Sequence, residues 1–150
     1  VDVTNVKDMD SHEVNDNDEI EAYQEIDNML AGKVVQIRNR PDKMYFDSYY
    51  IDKEMKQAQV FYKYKDELIR YEIYLNQKDS SRGITKEDEK INAYILKVQG
   101  NKIEIEERKI EKNKTVSMTA KFKYKGIFYQ LKGIMEKEEF NKIIKNLKFY

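Results

Sequence analysis

The stretch VSMTAKFKY, residues 116–124, decides the architecture of this chain. Its even positions are apolar and its odd positions are polar, an alternation typical of a β-strand with one buried face. Lys125 and Gly126 then offer a two-residue turn, after which Ile127, Tyr129 and Leu131 resume the alternation, with Gln130 and Lys132 on the other face. The pattern therefore predicts a β-hairpin.

After this hairpin the hydrophobic period changes to that of a helix. Glutamates come first and lysines last, an order that favours a helix through its dipole. The apolar stripe consists of Phe140, Ile143, Ile144 and Leu147. We expect this stripe to lie across the hairpin in one core, because the apolar faces can be buried together only in that arrangement. The other predicted members of that core are Ile69, Ile73, Phe122, Tyr129 and Leu131.

Composition limits the function classes before any motif is considered. The chain has 150 residues, enough for one domain with a sizeable core. Its 28 basic and 28 acidic residues cancel, so no global field favours nucleic acid or an anionic membrane. The absence of cysteine excludes disulfides, thiolate metal sites and a thiol nucleophile. These totals favour a globular binding or structural domain.

The N-terminal part of the chain predicts an arm followed by a helix. Residues 1–17 are polar and acidic, and we interpret them as an arm outside one domain of residues 18–150. The helix is predicted from Glu19 to Ala31, with Asp18 as N-cap, Glu21 in a capping box and Gly32 at its end. Its expected apolar stripe is Ile20, Tyr23, Ile26 and Leu30.

The middle of the chain predicts short strands separated by turns. Residues 34–38 are β-branched and suggest a short strand. The aromatic-rich stretches 44–51, 59–64 and 67–76 predict a meander, the last with Leu75 on its buried face. A polar loop, residues 77–90, precedes a second predicted hairpin, whose strands are 91–98 and 102–109 around a Gly100-Asn101 turn.

Together these elements predict an α+β fold. We expect a twisted antiparallel sheet of six to eight strands, with an N-terminal and a C-terminal helix packed on one face. The other face of the sheet is expected to be partly exposed to solvent.

Catalytic and metal-binding chemistry has little support in the residues. His12 is the single histidine and lies in the polar arm. The nearby acidic residues lack the glycine and terminal glutamate of a calcium loop. Asp47 and Asp52 form a carboxylate pair, while Glu104 and Glu106 alternate with isoleucines as the wet face of a strand. We therefore predict no catalytic, cofactor-binding or metal-binding residues, and no enzyme. The acidic residues near His12 are Asp8, Asp10, Asp16 and Asp18.

Two groups of residues are candidates for binding. Aromatic residues occur on both faces of three neighbouring predicted strands, and their number exceeds what one core face can bury. Some of them are therefore expected in a second layer, an interface or a groove. The alternative is that packing by the helices and coding bias explain all of them. The predicted partner-binding residues are Tyr45, Tyr49, Tyr62, Tyr64 and Tyr74. A basic stripe near the last hairpin either binds an anionic polymer or protects a sheet edge from aggregation. This stripe is Lys121, Lys123, Lys125 and Lys132.

The C-terminal third resembles a known family. KGIFYQLKGI, residues 125–134, followed by EEFNKIIKNL, residues 138–147, is similar to the closing motif of the bacterial domain of unknown function 4367 family. The Lys33-Val34-Val35 element, Pro41 and the tyrosine-rich meander are similar too. The resemblance implies a location outside the cytoplasmic membrane of low-GC Gram-positive bacteria, downstream of one membrane span. It carries over no catalytic residues.

We therefore expect a non-enzymatic extracytoplasmic domain of a membrane-anchored sensory or regulatory protein. Its expected partner is a protein, a peptide or an envelope ligand, and neither nucleic acid nor a cofactor is expected. Because the chain starts at Val1 instead of Met, we expect a removed N-terminal segment to supply the anchor. The alternative is a half-barrel that carries lipids or lipoproteins. A deep apolar cavity would favour the carrier, a shallow aromatic patch the binding module, and a cleft with perturbed carboxylates an enzyme.

Overall fold

The computed structural model describes residues 17–75, 89–110 and 116–150. A seven-stranded antiparallel sheet carries an N-terminal and a C-terminal helix, which confirms the predicted α+β fold. The strand order is β1-β2-β3-β7-β6-β5-β4, so β1 and β4 form the two edges. The elements are α1 (Asn17–Leu30), β1 (Met44–Asp52), β2 (Gln57–Tyr64), β3 (Glu67–Tyr74), β4 (Glu89–Val98), β5 (Asn101–Lys109), β6 (Val116–Tyr124), β7 (Ile127–Ile134) and α2 (Lys137–Lys145).

The predicted terminal hairpin is present and lies in the middle of the sheet. Strands β6 and β7 pair through a turn in which Lys125 and Gly126 have φ angles of 50° and 81°. Positive φ at both central residues is the geometry that matches the twist of a two-residue hairpin. Because β7 also pairs with β3, this hairpin joins the N-terminal meander to the β4–β5 hairpin.

The core lies between the sheet and the helices. Its largest fully buried side chains include Tyr62, Tyr71, Tyr129 and Phe140. All nine residues that the sequence assigns to one core belong to this cluster, which confirms the predicted packing of the last helix over the last hairpin. Leu147 follows the end of α2 and is still buried in that core.

The predicted strand over residues 34–38 is wrong, because this segment crosses over the sheet instead of extending it. Only Gln36 forms a bridge, with Lys148, through N···O distances of 3.1 and 2.9 Å. The backbone of Val35 is satisfied by tyrosines from the sheet: its carbonyl accepts from Tyr71 Oη (2.7 Å) and its amide donates to Tyr129 Oη (3.1 Å). A buried backbone needs such partners where it has no strand neighbour.

The first helix begins earlier than predicted; burial of Tyr23, Ile26 and Leu30 confirms most of its predicted stripe, which is wrong at Ile20. It starts at Asn17, so Asp18 lies inside the helix and is not its N-cap. Ile20 is half exposed, while Glu19 is buried. The buried side chains of α1 lie at positions 19, 22, 23, 26 and 30. This spacing is helical, but it begins at Glu19 instead of the predicted Ile20. The phase is fixed by an ion pair of Glu19 with Arg40, which local periodicity does not reveal.

Two further boundaries differ. Strand β3 ends at Tyr74, and Leu75 is exposed instead of buried. The β4–β5 turn uses Gln99 and Gly100, with φ angles of 52° and 81°, so Asn101 is already the first residue of β5. The predicted arm and most of the predicted loop 77–90 lie outside the described residues.

Candidate functional site

The sheet face that points away from the helices is the candidate functional site, and we call it the open face. Strand alternation and register place on it the side chains opposite to those of the core. Its cationic residues are Lys63, Arg70, Lys97, Lys102, Arg108, Lys121, Lys123 and Lys132. Its acidic residues are Asp52, Glu72, Glu104 and Glu106. Among the described side chains, cations therefore outnumber carboxylates on this face.

Three of the four carboxylates already have partners. Glu72 lies 3.7 Å from Arg70, and Glu106 lies 3.3 Å from Arg108, each pair within one strand. Burial raises the pKa of Glu72, against the opposing effect of Arg70. Asp52 accepts hydrogen bonds of 3.1 Å from two backbone amides of the β1–β2 turn. The positive excess of the face is therefore carried by its lysines.

Three of those lysines form a cluster on the central strands. Lys121 and Lys123 are two residues apart on β6, and Lys132 lies on the neighbouring strand, diagonal to Lys121. Within the described ranges, neither Lys121 nor Lys132 has a carboxylate oxygen within 4.0 Å. Lys123 lies over the ring of Phe128, 5.1 Å from its centroid. This central lysine cluster is the part of the open face best suited to an anionic ligand.

Aromatic rings lie beside the central lysine cluster. Tyr74 stacks on Phe128 with centroids 5.8 Å apart and planes 18° apart. Arg70 lies over Phe61, 5.9 Å from the ring centroid. Nearer the β1 edge, Tyr50 is more than half exposed and Tyr45 is also exposed. The open face thus combines cations with flat apolar surface.

Helix α1, on the opposite side of the domain, is strongly acidic. Helix α1 contains five acidic residues and no basic one in its sequence NDEIEAYQEIDNML. The zero net charge of the chain therefore conceals two regions of opposite sign. The argument from total charge missed this separation, although the spacing of Lys121, Lys123 and Lys132 indicated it.

The five predicted binding tyrosines do not form one surface. Tyr62 and Tyr64 are buried on the helix side, where Tyr49 is half buried and donates to Glu25 at 3.0 Å. Only Tyr45 and Tyr74 lie on the open face, and Tyr74 is largely covered.

Alternation and an irregularity explain this division of the tyrosines. Tyr62 and Tyr64 are two residues apart on β2, so they share one face. In β1 the register shifts between Phe46 and Ser48, and this bulge turns Tyr49 to the face opposite that of Tyr45.

The predicted basic stripe is brought together in part. Lys121, Lys123 and Lys132 share the open face, but Lys125 lies in the β6–β7 turn, where its Nζ donates to the carbonyl of Tyr150 at 2.8 Å. Tyr124, at the end of β6, lies on the helix side and donates to the same carbonyl.

The remaining predictions about chemistry fall partly outside the structure. His12, Asp8, Asp10 and Asp16 lie outside the described residues. In the ranges 17–75, 89–110 and 116–150, no group of three or more His, Asp or Glu side chains is arranged to hold a metal ion. The absence of a metal, a cofactor and an enzymatic activity stays a prediction. None of the helices in these ranges has the length and apolar character of a membrane span.

A buried polar network joins α1 to the sheet, and sequence reasoning missed it. Arg40 Nη1 donates to both carboxylate oxygens of Glu19 at 2.7 Å. Tyr62 Oη donates to Glu19 at 2.8 Å and lies 3.0 Å from Tyr23 Oη. Burial raises the pKa of Tyr62. For Arg40, burial alone would lower the pKa, but the neighbouring Glu19 raises the pKa of the guanidinium above its usual value. The network therefore keeps Arg40 charged.

A second carboxylate joins α2 to the sheet and gives a pH-dependent contribution. Glu136, the N-cap of α2, accepts from Tyr64 Oη at 2.7 Å and from Lys65 Nζ at 2.9 Å. These two hydrogen bonds, of which the one from Tyr64 has the larger effect, lower the pKa of Glu136 from 4.5 to about 2. A carboxyl with a lowered pKa in the folded state stabilises the fold above its unfolded pKa.

We expect Glu136→Gln to remove part of the acid sensitivity of the domain. The stabilisation by Glu136 is complete above pH 4.5 and is lost as the pH falls towards 2. Because Glu136 and Lys65 are both more than a third exposed, we expect at most about 1 kcal/mol. Urea titrations at pH 6 and pH 3 measure it. A pH dependence identical in wild type and variant would contradict the assignment.

Comparison with protein families matches residues 34–147 to a family described as "Domain of unknown function (DUF4367)". The match covers the sheet, the segment over it and α2, and it begins after α1. Comparison with curated proteins and with solved structures gave no match. The matched range includes all seven strands and therefore the whole open face. The chain belongs to the DUF4367 family of domains of unknown function.

Proposed function

We propose that this domain is a non-enzymatic binding module of a membrane-anchored protein, acting outside the cytoplasmic membrane. Its partner in this proposal is an acidic, extended protein segment that lies on the open face. The observation that carries the proposal is the central lysine cluster, three cations that outnumber the neighbouring carboxylates Glu72 and Glu104 and are bordered by aromatic rings. Opposite charge on a partner would steer and orient its binding.

The spacing of the cations supports an extended partner. Residues two apart on one strand are separated by roughly 6.7 Å, as are alternate residues of an extended peptide. Lys121 and Lys123 have this separation along β6, and Lys132 offers a third cation on the adjacent strand. A segment with acidic residues at alternate positions matches this pattern.

The composition of the open face supports a protein over a phosphate polymer. Interface cores are enriched in aromatic residues and arginine. Phe61, Tyr74, Phe128 and Arg70 lie together around the paired side chains of Gln59, Glu72 and Gln130. A phosphate polymer would also meet the carboxylates Glu72 and Glu104, which a peptide with amide donors accommodates better.

The carrier alternative has less support. Tyr62, Tyr71, Tyr129 and Phe140 fill the space between sheet and helices, so an acyl chain would have to lie on the open face among charged side chains. Such desolvation of lysines is costly. For the non-enzymatic role, the support is that three of the four carboxylates on the open face are paired with arginines or backbone amides.

The extracytoplasmic location rests on the family resemblance. Protease treatment of intact cells that express the full-length protein tests it. Cleavage of the domain without lysis supports the location, and protection until lysis contradicts it.

A lysine-to-glutamine triple variant tests the binding proposal. We expect Lys121→Gln/Lys123→Gln/Lys132→Gln to weaken binding of poly-L-glutamate by about tenfold at low ionic strength, because each exposed charge pair contributes roughly 0.2 to 1 kcal/mol. Fluorescence anisotropy of the labelled polymer measures the affinity, which should also fall as salt is added.

A matched triple variant controls for total charge. Lys33→Gln/Lys53→Gln/Lys145→Gln changes three exposed lysines outside the open face, with the same change in net charge. It should bind as wild type does. Equal weakening by both triple variants would contradict a specific face, and tighter binding of polyphosphate than of poly-L-glutamate would contradict a protein partner.

A further inference from the structure

A second concave site lies on the helix side of the domain. It is an open cavity of about 540 Å³ between the 39–43 connection, the turn after β2 and α2. This volume is in the range of small-molecule sites. Its charged lining residues are Arg40, Asp42, Lys43, Lys65, Glu139 and Lys142. We call it the Arg40 cavity.

Arg40 is the most buried cation of this lining. Its side chain is 9% exposed, whereas those of Lys65 and Lys142 are at least half exposed and Lys43 is exposed. Only Nη1 is used by Glu19, and the guanidinium lies over the ring of Tyr62, 5.1 Å from the centroid. Within the described part of the chain, Nη2 and Nε of Arg40 donate to no acceptor.

Unused donors on a buried guanidinium favour a ligand with oxygen acceptors. An arginine presents five N–H donors in a planar fork that matches a carboxylate or phosphate. Leaving such donors desolvated and unpaired is unfavourable. Because Glu19 and Tyr62 already fix one side of the fork, the remaining donors are held in place before a ligand arrives.

The other charges of the lining select among oxyanions. Lys65 is paired with Glu136 at 2.9 Å, and Lys142 lies 3.9 Å from Glu139. Asp42, next to Lys43 in sequence, adds a further negative charge to the lining. Two carboxylates in the lining repel a multiply charged anion more strongly than a singly charged one.

We propose that the Arg40 cavity binds a small ligand through a single carboxylate, with Nη2 and Nε of Arg40 as donors and Lys43 at the rim. The proposal is independent of the open face, which lies on the other side of the sheet.

Titration of the ¹⁵N-labelled domain with acetate, succinate and inorganic phosphate at constant ionic strength tests the proposal. We expect saturable amide shifts around Arg40, Lys43 and Lys142 with acetate, and weaker binding of succinate, because the acidic lining repels its second carboxylate. Arg40→Lys should weaken the carboxylate affinity at least about tenfold, because lysine lacks the planar fork. Lys43→Gln keeps the Glu19 network intact and should weaken it about threefold, as expected for an exposed charge.

A surface lysine supplies the control. Lys53→Gln lies outside the cavity and should leave the carboxylate affinity unchanged. Tighter binding of phosphate than of the carboxylates would contradict the assigned ligand class. The absence of saturable shifts at the cavity, or the same affinity in wild type and Lys43→Gln, would overturn the proposal.

Discussion

Arg40→Met is expected to lower the free energy of unfolding by about 3 to 5 kcal/mol, because it leaves the carboxylate of Glu19 buried without a cation. The side chain of Glu19 is 11% exposed, and after the substitution only the hydroxyl of Tyr62 would still donate to it. Methionine keeps much of the volume of arginine, so the effect reports the charge more than a cavity. Urea titration at pH 7 measures the loss.

An exposed ion pair provides the matched control. Lys65→Met removes the cation beside Glu136, where the two side chains are 50% and 40% exposed. We expect a loss of about 1 kcal/mol or less there. The double variant Glu19→Gln/Arg40→Met should recover part of the stability lost in Arg40→Met, because no buried charge remains. Equal losses in Arg40→Met and Lys65→Met would show that the Glu19 network is not buried as described.

Leu147→Ala is expected to lower the free energy of unfolding by about 2 to 5 kcal/mol through the cavity that it leaves. Leu147 is buried in the core that also contains Phe140 and Ile144 of α2. It lies just beyond the helix, so the expected loss reflects packing and not helix propensity. Lys145→Ala, at an exposed position, should change stability by less than about 0.5 kcal/mol. A loss below about 1 kcal/mol for Leu147→Ala in urea titration would contradict this packing.

The parts of the fold that depend on local pattern could be predicted from the sequence. Strict alternation in residues 116–124, with a Lys125-Gly126 turn, identified the first strand and the turn of the central hairpin to the residue. The four apolar positions of the last helix reached their predicted core. Such patterns depend on one buried face, which a single chain segment reveals on its own.

The wrong predictions concern segments whose structure depends on contacts with residues that are distant in sequence. Which side of α1 is buried near its start depends on the ion pair of Glu19 with Arg40, twenty-one positions later. A pattern of apolar residues does not predict that a glutamate is buried. Residues 34–38 look like a strand by composition, but hydroxyls of Tyr71 and Tyr129 take the backbone bonds that a neighbouring strand would have supplied. These pairings are tertiary and leave no local signal.

The candidate site was predicted only in part, because local alternation reveals some of its residues and not others. The lysines of β6 and β7 were identified because alternation places Lys121 and Lys123 on one face. The tyrosine surface was not formed, because the β1 bulge separates Tyr45 from Tyr49 and the alternation of β2 directs Tyr62 inward. A bulge shifts the face of every later residue in its strand, and the sequence of β1 does not mark its position.

The most direct test of the account is to map where an acidic peptide contacts the domain. The probe is an extended peptide of alternating glutamate and threonine, titrated into the ¹⁵N-labelled domain at low ionic strength. We predict that the largest amide shifts lie on β3, β6 and β7 around Arg70, Lys121 and Lys132, and that added salt reduces them. Largest shifts on α2 or around Arg40, or no saturable shifts at all, would contradict the open face as the binding surface.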